Sequence, residues 1–380
     1  MQVEKLSNSI DIKKYLQDLG VDDGGVNILS AKSKMHIIHI KALHVGAANI
    51  LKQDALSVGA DLAVPRGTVI AKTPEVDCIL IATSRQLEKL SHKELAQPFG
   101  LKELAKKLKD ILNIKKPLHV EIMGVINAND DSFFASSRFR DSDAINAIEQ
   151  MIDDGASIID IGGVSSAPNS LHVEVSEELA RVKPIIDTIK NQKLYDKVKF
   201  SIDSFESEVI KYALDSGFKI VNDITGLKDD EVCKLCAEYE STAIIMHMQG
   251  KPQTMQDNPV YDNILSEVYD FFSERIAKAE SFGVKDIVLD VGIGFGKTLE
   301  HNLSLIKNLQ HFTTLNKALL VGASRKSMID KISPSPVDKR LAGTLALHVE
   351  AMQNGASILR VHDVYEHMQA IKIQKKLNNI

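Results

Sequence analysis

Asn127, Asp203, Asn222, Asp290, Lys326, Arg360 and His362 each stand where an apolar run of the chain gives way to a polar turn. Gathered at one mouth, such carboxylates, amides and cations could hold a polar ligand, stabilise developing charge and grip an anion. Gly162 to Ser166, Asp223, His247, Ser324 and Arg325 occupy comparable places. A lone Asp or His at such a position is as often a hydrogen-bonded structural group as a reactive one. The repetition of the arrangement is harder to explain structurally. The stretch LDVGIGFGKTLEHN (289–302) also ends its glycines in Gly-Lys-Thr, as phosphate-gripping loops do. That loop needs a glycine where this chain has Val291, so a nucleotide triphosphatase is not expected.

The elements that must position these residues are short Ile- and Val-rich runs alternating with longer amphipathic stretches. Strands are expected at 119–127, 157–163, 198–204, 219–226, 242–248, 286–294, 318–324 and 357–363. Most are apolar at nearly every position, as strands covered on both faces are. Gly155, Gly217, Gly283 and Gly355 each follow a helical stretch and precede a strand, the place for a helix-closing glycine. Eight such units predict a (β/α)8 barrel, for which ~250 residues is typical, over 118–380. The polar residues then fall at the C-terminal strand ends, the face on which barrel enzymes build their sites.

Residues 1–117 lie outside that count. MHIIHIKAL, ADLAV and CILIATS read as strands, ANILKQDALSVG and LKELAKKLKDIL as helices, predicting a small α/β domain of unassigned role that ends near Pro117. With 380 residues, 44% hydrophobic and a net charge of -5, the chain suits a soluble two-domain protein without a broad nucleic-acid surface. The N-terminal residues lack the apolar core of a signal or membrane anchor, so a cytoplasmic protein is expected. Cys78, Cys233 and Cys236 are too few for a disulfide framework or a four-ligand zinc site.

Read in order, MGVINANDDSF, IDIGGVSSAP, FSIDS, VNDITG, MHMQGKPQTMQ, GIGFGKT, SRKS and RVHDV resemble dihydropteroate synthase, the folate-pathway transferase. The resemblance implies condensation of 6-hydroxymethyl-7,8-dihydropterin diphosphate with 4-aminobenzoate, Mg²⁺ as cofactor and a homodimer. It implies that Asp203, Asn222, Asp290 and Lys326 contact the pterin, and that Asp203 and Lys326 act in catalysis. Carboxylates and an amide suit the donor edge of that flat ring. Asn127, Ser166, Arg360 and His362 are implied for the diphosphate, with Asn127 also near Mg²⁺. Phe133, Pro168, Phe295 and Ser327 would form the aminobenzoate pocket, and Lys297 would be a structural or rim residue.

Two loops depart from the family pattern. The first, NANDDSFFASSRF, has Asp130 where the family has proline and lacks the glycine pair; the second, GGVSSAPN, has Val164 for Glu, Ser166 for Thr and Ala167 for Arg. Arg138, Arg140, Arg66 and Arg85 are the candidates to replace the lost charge. The competing readings are a folate-dependent methyltransferase barrel, which lacks the GFGKT and SRKS combination, and a pterin-binding protein without catalysis.

Overall fold

Side chains along a strand alternate between two faces, so in a closed parallel barrel every second residue enters the interior. The computed structural model describes residues 1–8, 10–114, 117, 119–128, 142–164 and 173–377. They divide between two compact units, Met1–Lys115 and Lys116–Asn379.

In the first unit, β1 (Met35–His44), β2 (Asp61–Ala63) and β3 (Glu75–Thr83) form an antiparallel sheet with β3 in the centre. Leu62, Val76, Cys78 and Leu80 alternate onto one face and meet Leu51, Leu87, Leu90 and Leu108 of the helices Val45–Val58, Ser84–Lys93 and Leu101–Asn113. The helix Ser84–Lys93 begins at a capping box, in which the Thr83 hydroxyl accepts from the Gln86 backbone while the Gln86 side chain accepts from the Thr83 backbone.

The second unit is a closed barrel of eight parallel strands: β4 (Glu121–Asn127), β5 (Ile158–Gly162), β6 (Lys199–Asp203), β7 (Ile220–Asp223), β8 (Thr242–Met246), β9 (Ile287–Asp290), β10 (Ala318–Val321) and β11 (Ile358–Val361). Each pairs with its neighbour in sequence, and β11 closes on β4. Gly155, Gly217, Gly283 and Gly355 all have φ between 91° and 106° as the chain leaves a helix for a strand. The barrel fold expected from the sequence is therefore the observed one.

Two interior layers set up the site. The lower one is an apolar plug of Met123, Ile158, Ile220, Ile244, Val288, Leu320 and Ile358. Burial of each side chain is worth roughly 1.5–3 kcal/mol, enough to hold the barrel closed beneath a polar layer. Two residues further along the same strands come Val125, Asp160, Asn222, Met246, Asp290, Gly322 and Arg360. The outward residues, among them Ile159, Phe200, Ile202, Val221, Ile245 and Leu289, join the larger core beneath the surrounding helices.

Candidate active site

Directly above the plug, Asp160 is fully buried and its Oδ2 accepts from Asn222 Nδ2 at 3.1 Å and from Arg360 Nε at 2.7 Å. Arg360 reaches on to Asp203, donating from Nη2 to Oδ2 at 2.6 Å. Asp203, Asn222, Asp290, Lys326 and Arg360 line one cavity, together with Ile224, Met246, Ile293, Phe295 and Gly322. Three strand ends thus contribute two acids and an amide, while apolar side chains supply walls against which a flat ring can lie.

The β9–loop–helix segment positions the second wall. Gly292 has φ 66°, and a Cβ there would come within 1.9 Å of the His247 carbonyl oxygen, so only glycine permits the two loops to touch. The Gly292 N–H donates to Asp290 Oδ1 at 2.8 Å, fixing that carboxylate. Lys297 is buried beside them and donates from Nζ to the carbonyls of His247, Gly292 and Phe295 at 3.1, 3.0 and 2.9 Å. Burial lowers its pKa to about 7, and the three carbonyl acceptors match the three N–H donors of its ammonium form, which makes it a strut between the β8 and β9 ends. The loop so held presents the Phe295 ring to Lys326, whose Nζ sits 4.4 Å from the ring centroid. Lys326 follows Arg325, a non-glycine residue at φ 55° that is secured by an ion pair with Asp363 and by Arg325 N–H donating to Thr344 Oγ1 at 2.9 Å.

Burial and charge tune these groups against one another. Burial, opposed by Arg360, raises the Asp203 pKa to about 7, with Asp160 and Glu178 adding to the rise. Asp290 is also raised by burial, though the Gly292 N–H favours its charged form. Burial next to Arg360 lowers Lys326 to about 8. For Arg360 burial acts downward, but Asp160 and Asp203 outweigh it and the net shift is upward. The result is a compact array of two cations and three acids that can exchange charge with an ionic ligand without large rearrangement.

The other expected residues fall in several places. Asn127 ends β4 in register with Gly162 and thence with Asp203. A Cβ built on Gly162 would lie 3.7 Å from both Asn127 Oδ1 and Asp203 Oδ2, so the missing side chain leaves a cradle edged by two oxygens. Among the described residues no three His, Cys, Asp or Glu side chains form a metal cluster. Asp203 Oδ2 already accepts from Arg360, so the Asn127 amide oxygen is the donor here that fits Mg²⁺, which keeps water and substrate phosphate as most of its ligands. His362 meets Ser324 at 2.9 Å and is held neutral by burial beside Arg360, with its pKa near 3. Ser327 is exposed at the start of the helix Ser327–Ile332. Phe133, Ser166 and Pro168 lie outside the described residues, as do Ala167, Asp130, Arg138 and Arg140.

His247 and Asp223 do not join the cavity. The His247 ring packs edge-on to Phe271 at 4.9 Å, and burial lowers its pKa to about 2. Asp223 caps its own turn, accepting from Thr225 and Leu227 N–H at 2.6 and 3.0 Å. The residue that sequence reading passed over is Asp160. Its signal was an acid in the middle of the apolar run SIIDIGG, at an inward position.

Residues 123–362 match the family described as pterin binding enzyme. The chain is 44% identical over 375 residues to a bifunctional dihydropteroate synthase/dihydropteroate reductase of Helicobacter pylori, covering 99% of both chains. It is 41% identical over 258 residues to the Escherichia coli dihydropteroate synthase, covering 67% of this chain and 90% of that one. Among solved structures, the Yersinia pestis dihydropteroate synthase in complex with a sulfonamide drug matches with TM-score 0.66 and 33% identity over 69% of this chain and 95% of that one. The Xanthomonas albilineans enzyme with 4-aminobenzoic acid matches with TM-score 0.63 and 32% identity, over 69% and 94%. With its eight-stranded barrel, its acid-floored cavity and these likenesses over the whole barrel, the chain belongs to the dihydropteroate synthases of the pterin-binding family.

Proposed function

We propose that the barrel joins the amine of 4-aminobenzoate to the methylene carbon of 6-hydroxymethyl-7,8-dihydropterin diphosphate, giving 7,8-dihydropteroate and diphosphate. The observation that carries this reading is the cavity in which Asp290 and Asn222 face Lys326 and Arg360 across walls of Met246, Ile293 and Phe295. Its acids and amide accept from the ring's N–H edge, and its apolar walls take the ring faces. As the carbon–oxygen bond breaks, the electron pair leaves with diphosphate and positive charge grows on the carbon. Asp203, kept partly ionised by Arg360 at 2.6 Å, stabilises that charge. Lys326 stands beside Phe295, between the pterin cavity and the side from which the amine attacks. The amine forms the new carbon–nitrogen bond and releases its proton.

Arg360, His362 and Ser166 receive the diphosphate, and Phe133, Pro168, Phe295 and Ser327 receive the aminobenzoate. Mg²⁺, held through Asn127 and the diphosphate oxygens, would supply neutralising charge to the leaving group. The barrel works as a cytoplasmic homodimer, which light scattering tests. No helix among the described residues is long and apolar enough to cross a membrane.

Turnover of purified protein with both substrates and Mg²⁺ tests the synthase reading against the methyltransferase and the non-catalytic binder. Diphosphate release that requires aminobenzoate supports it; pterin binding without release overturns it. A second activity is favoured by one observation: the match to the bifunctional Helicobacter pylori protein runs through the N-terminal unit, which the shorter Escherichia coli relative does not cover. We propose that this unit takes part in reducing the product, with hydride from a reduced nicotinamide or flavin. Loss of dihydropteroate in the presence of that reductant, absent when residues 1–115 are removed, is the expected result.

A further inference from the structure

Asp160 is not among the residues that line the cavity, yet two of the side chains that do line it are fastened to it. Its Oδ2 accepts from Arg360 Nε, so the same oxygen meets the Asn222 amide as an acceptor and turns its NH₂ end toward Asp160. The Asn222 carbonyl oxygen is thereby turned away from Asp160, to the side on which Asn222 lines the cavity. The same Oδ2 anchors Arg360 at Nε, which leaves Nη2 free to reach Asp203. Without Asp160, the amide could present either end to a ligand and the guanidinium would be held by Asp203 alone.

The energetics point the same way. Asp160 sits in a strand whose neighbours, Ile158, Ile159 and Ile161, are buried and apolar, and its Oδ1 has no hydrogen-bond partner among the described residues. Replacing a whole buried ion pair by apolar residues is often neutral or stabilising, so packing alone gives little reason for an Asp160–Arg360 pair here, whereas loss of Asp160 by itself leaves the guanidinium with Asp203 as its remaining ion-pair partner. Resting on the pterin reading of this cavity, we infer that Asp160 is a positioning residue: from beneath the floor it sets the acceptor face of Asn222 and the reach of Arg360, and so governs recognition of the heterocycle's donor edge.

The experiment compares full-length wild type with Asp160→Leu and Asp160→Asn. Binding of the diphosphate-free pterin alcohol is measured by calorimetry. The KM for aminobenzoate is measured at saturating pterin diphosphate, and the thermal midpoint reports folding. Asp160→Leu should weaken pterin binding about tenfold or more, because a bond to a charged acceptor is lost at each of two partners. Asp160→Asn, which keeps an acceptor but no longer dictates the amide's orientation, should lose less. Neither should move the aminobenzoate KM by more than about threefold, whereas general damage to the site would move both ligands together. Unchanged pterin binding in both variants, an equal loss for both ligands, or failure of both variants to fold would overturn the inference. Absence of pterin binding by the wild type would instead overturn the functional reading beneath it.

Discussion

Replacing Asp203 by asparagine changes one oxygen to an amide while leaving its volume nearly the same. Arg360 keeps its bond to Asp160 at 2.7 Å and loses only the charged partner at 2.6 Å. A unit charge acting on a full charge about 4 Å away gains roughly 4 kcal/mol at an effective dielectric of ~20, and a half-developed charge gains about half of that. Loss of one preorganised group in characterised sites costs ~2.7–4 kcal/mol, so kcat should fall by about two to three decades. Stability should move the other way. The carboxyl's pKa is about 7 in the folded protein against 3.8 as the reference value. The folded state therefore holds the proton more tightly, and the stability this gives is complete below about pH 4 and is lost as pH rises to about 7. Asparagine does not titrate, so Asp203→Asn should gain thermal stability relative to wild type across that window and keep the gain above it. The assay is diphosphate release under steady-state conditions, with thermal melts from pH 4 to 8. A folded variant with kcat within about tenfold of wild type, or one whose melting difference does not open between pH 4 and 7, refutes the reasoning.

Arg360→Ala and His362→Ala should weaken the pterin diphosphate by about tenfold or more relative to the pterin alcohol, since a charged hydrogen bond is worth ~1.5–3 kcal/mol; equal losses in calorimetry would place both residues elsewhere. Lys297→Met should cost several kcal/mol in urea unfolding, because three buried carbonyls each lose a donor at ~1–3 kcal/mol apiece; a change under about 1 kcal/mol would deny the strut. A sulfonamide should inhibit in competition with aminobenzoate, and inhibition that excess aminobenzoate does not relieve would count against the Phe295 and Lys326 wall. A chain beginning near residue 115 should retain synthase turnover within about tenfold; a larger fall, ~1.4 kcal/mol or more of transition-state stabilisation, would show that the N-terminal unit contributes to the site.

Much of this protein is local and therefore legible along the chain. The eight strands announce themselves through near-continuous Ile and Val, because a strand buried on both faces has little use for polar residues. Gly155, Gly217, Gly283 and Gly355 mark the helix exits because their φ values, from 91° to 106°, exclude most side chains. Placing Asp203, Asn222, Asp290 and Arg360 at strand ends needs only the strand boundaries and the rule that such barrels carry function on that rim. Which of those polar residues face inward was a different matter. His247 and Asp223 come from equally promising ends, yet one packs against Phe271 and the other closes its own turn. Lys297, expected as a structural or rim residue, is held by three carbonyls that the sequence does not identify, one of them on the neighbouring strand's loop. Asp160 is a single acid in an otherwise apolar strand, and sequence reading passed over it. Its partners Asn222 and Arg360 lie 62 and 200 residues away, and only closure of the barrel brings them within hydrogen-bond distance. Strand formation follows from backbone and side-chain preference over a few neighbouring residues, whereas the partner of a buried charge depends on the inward parity of each strand and on which strands meet around the ring.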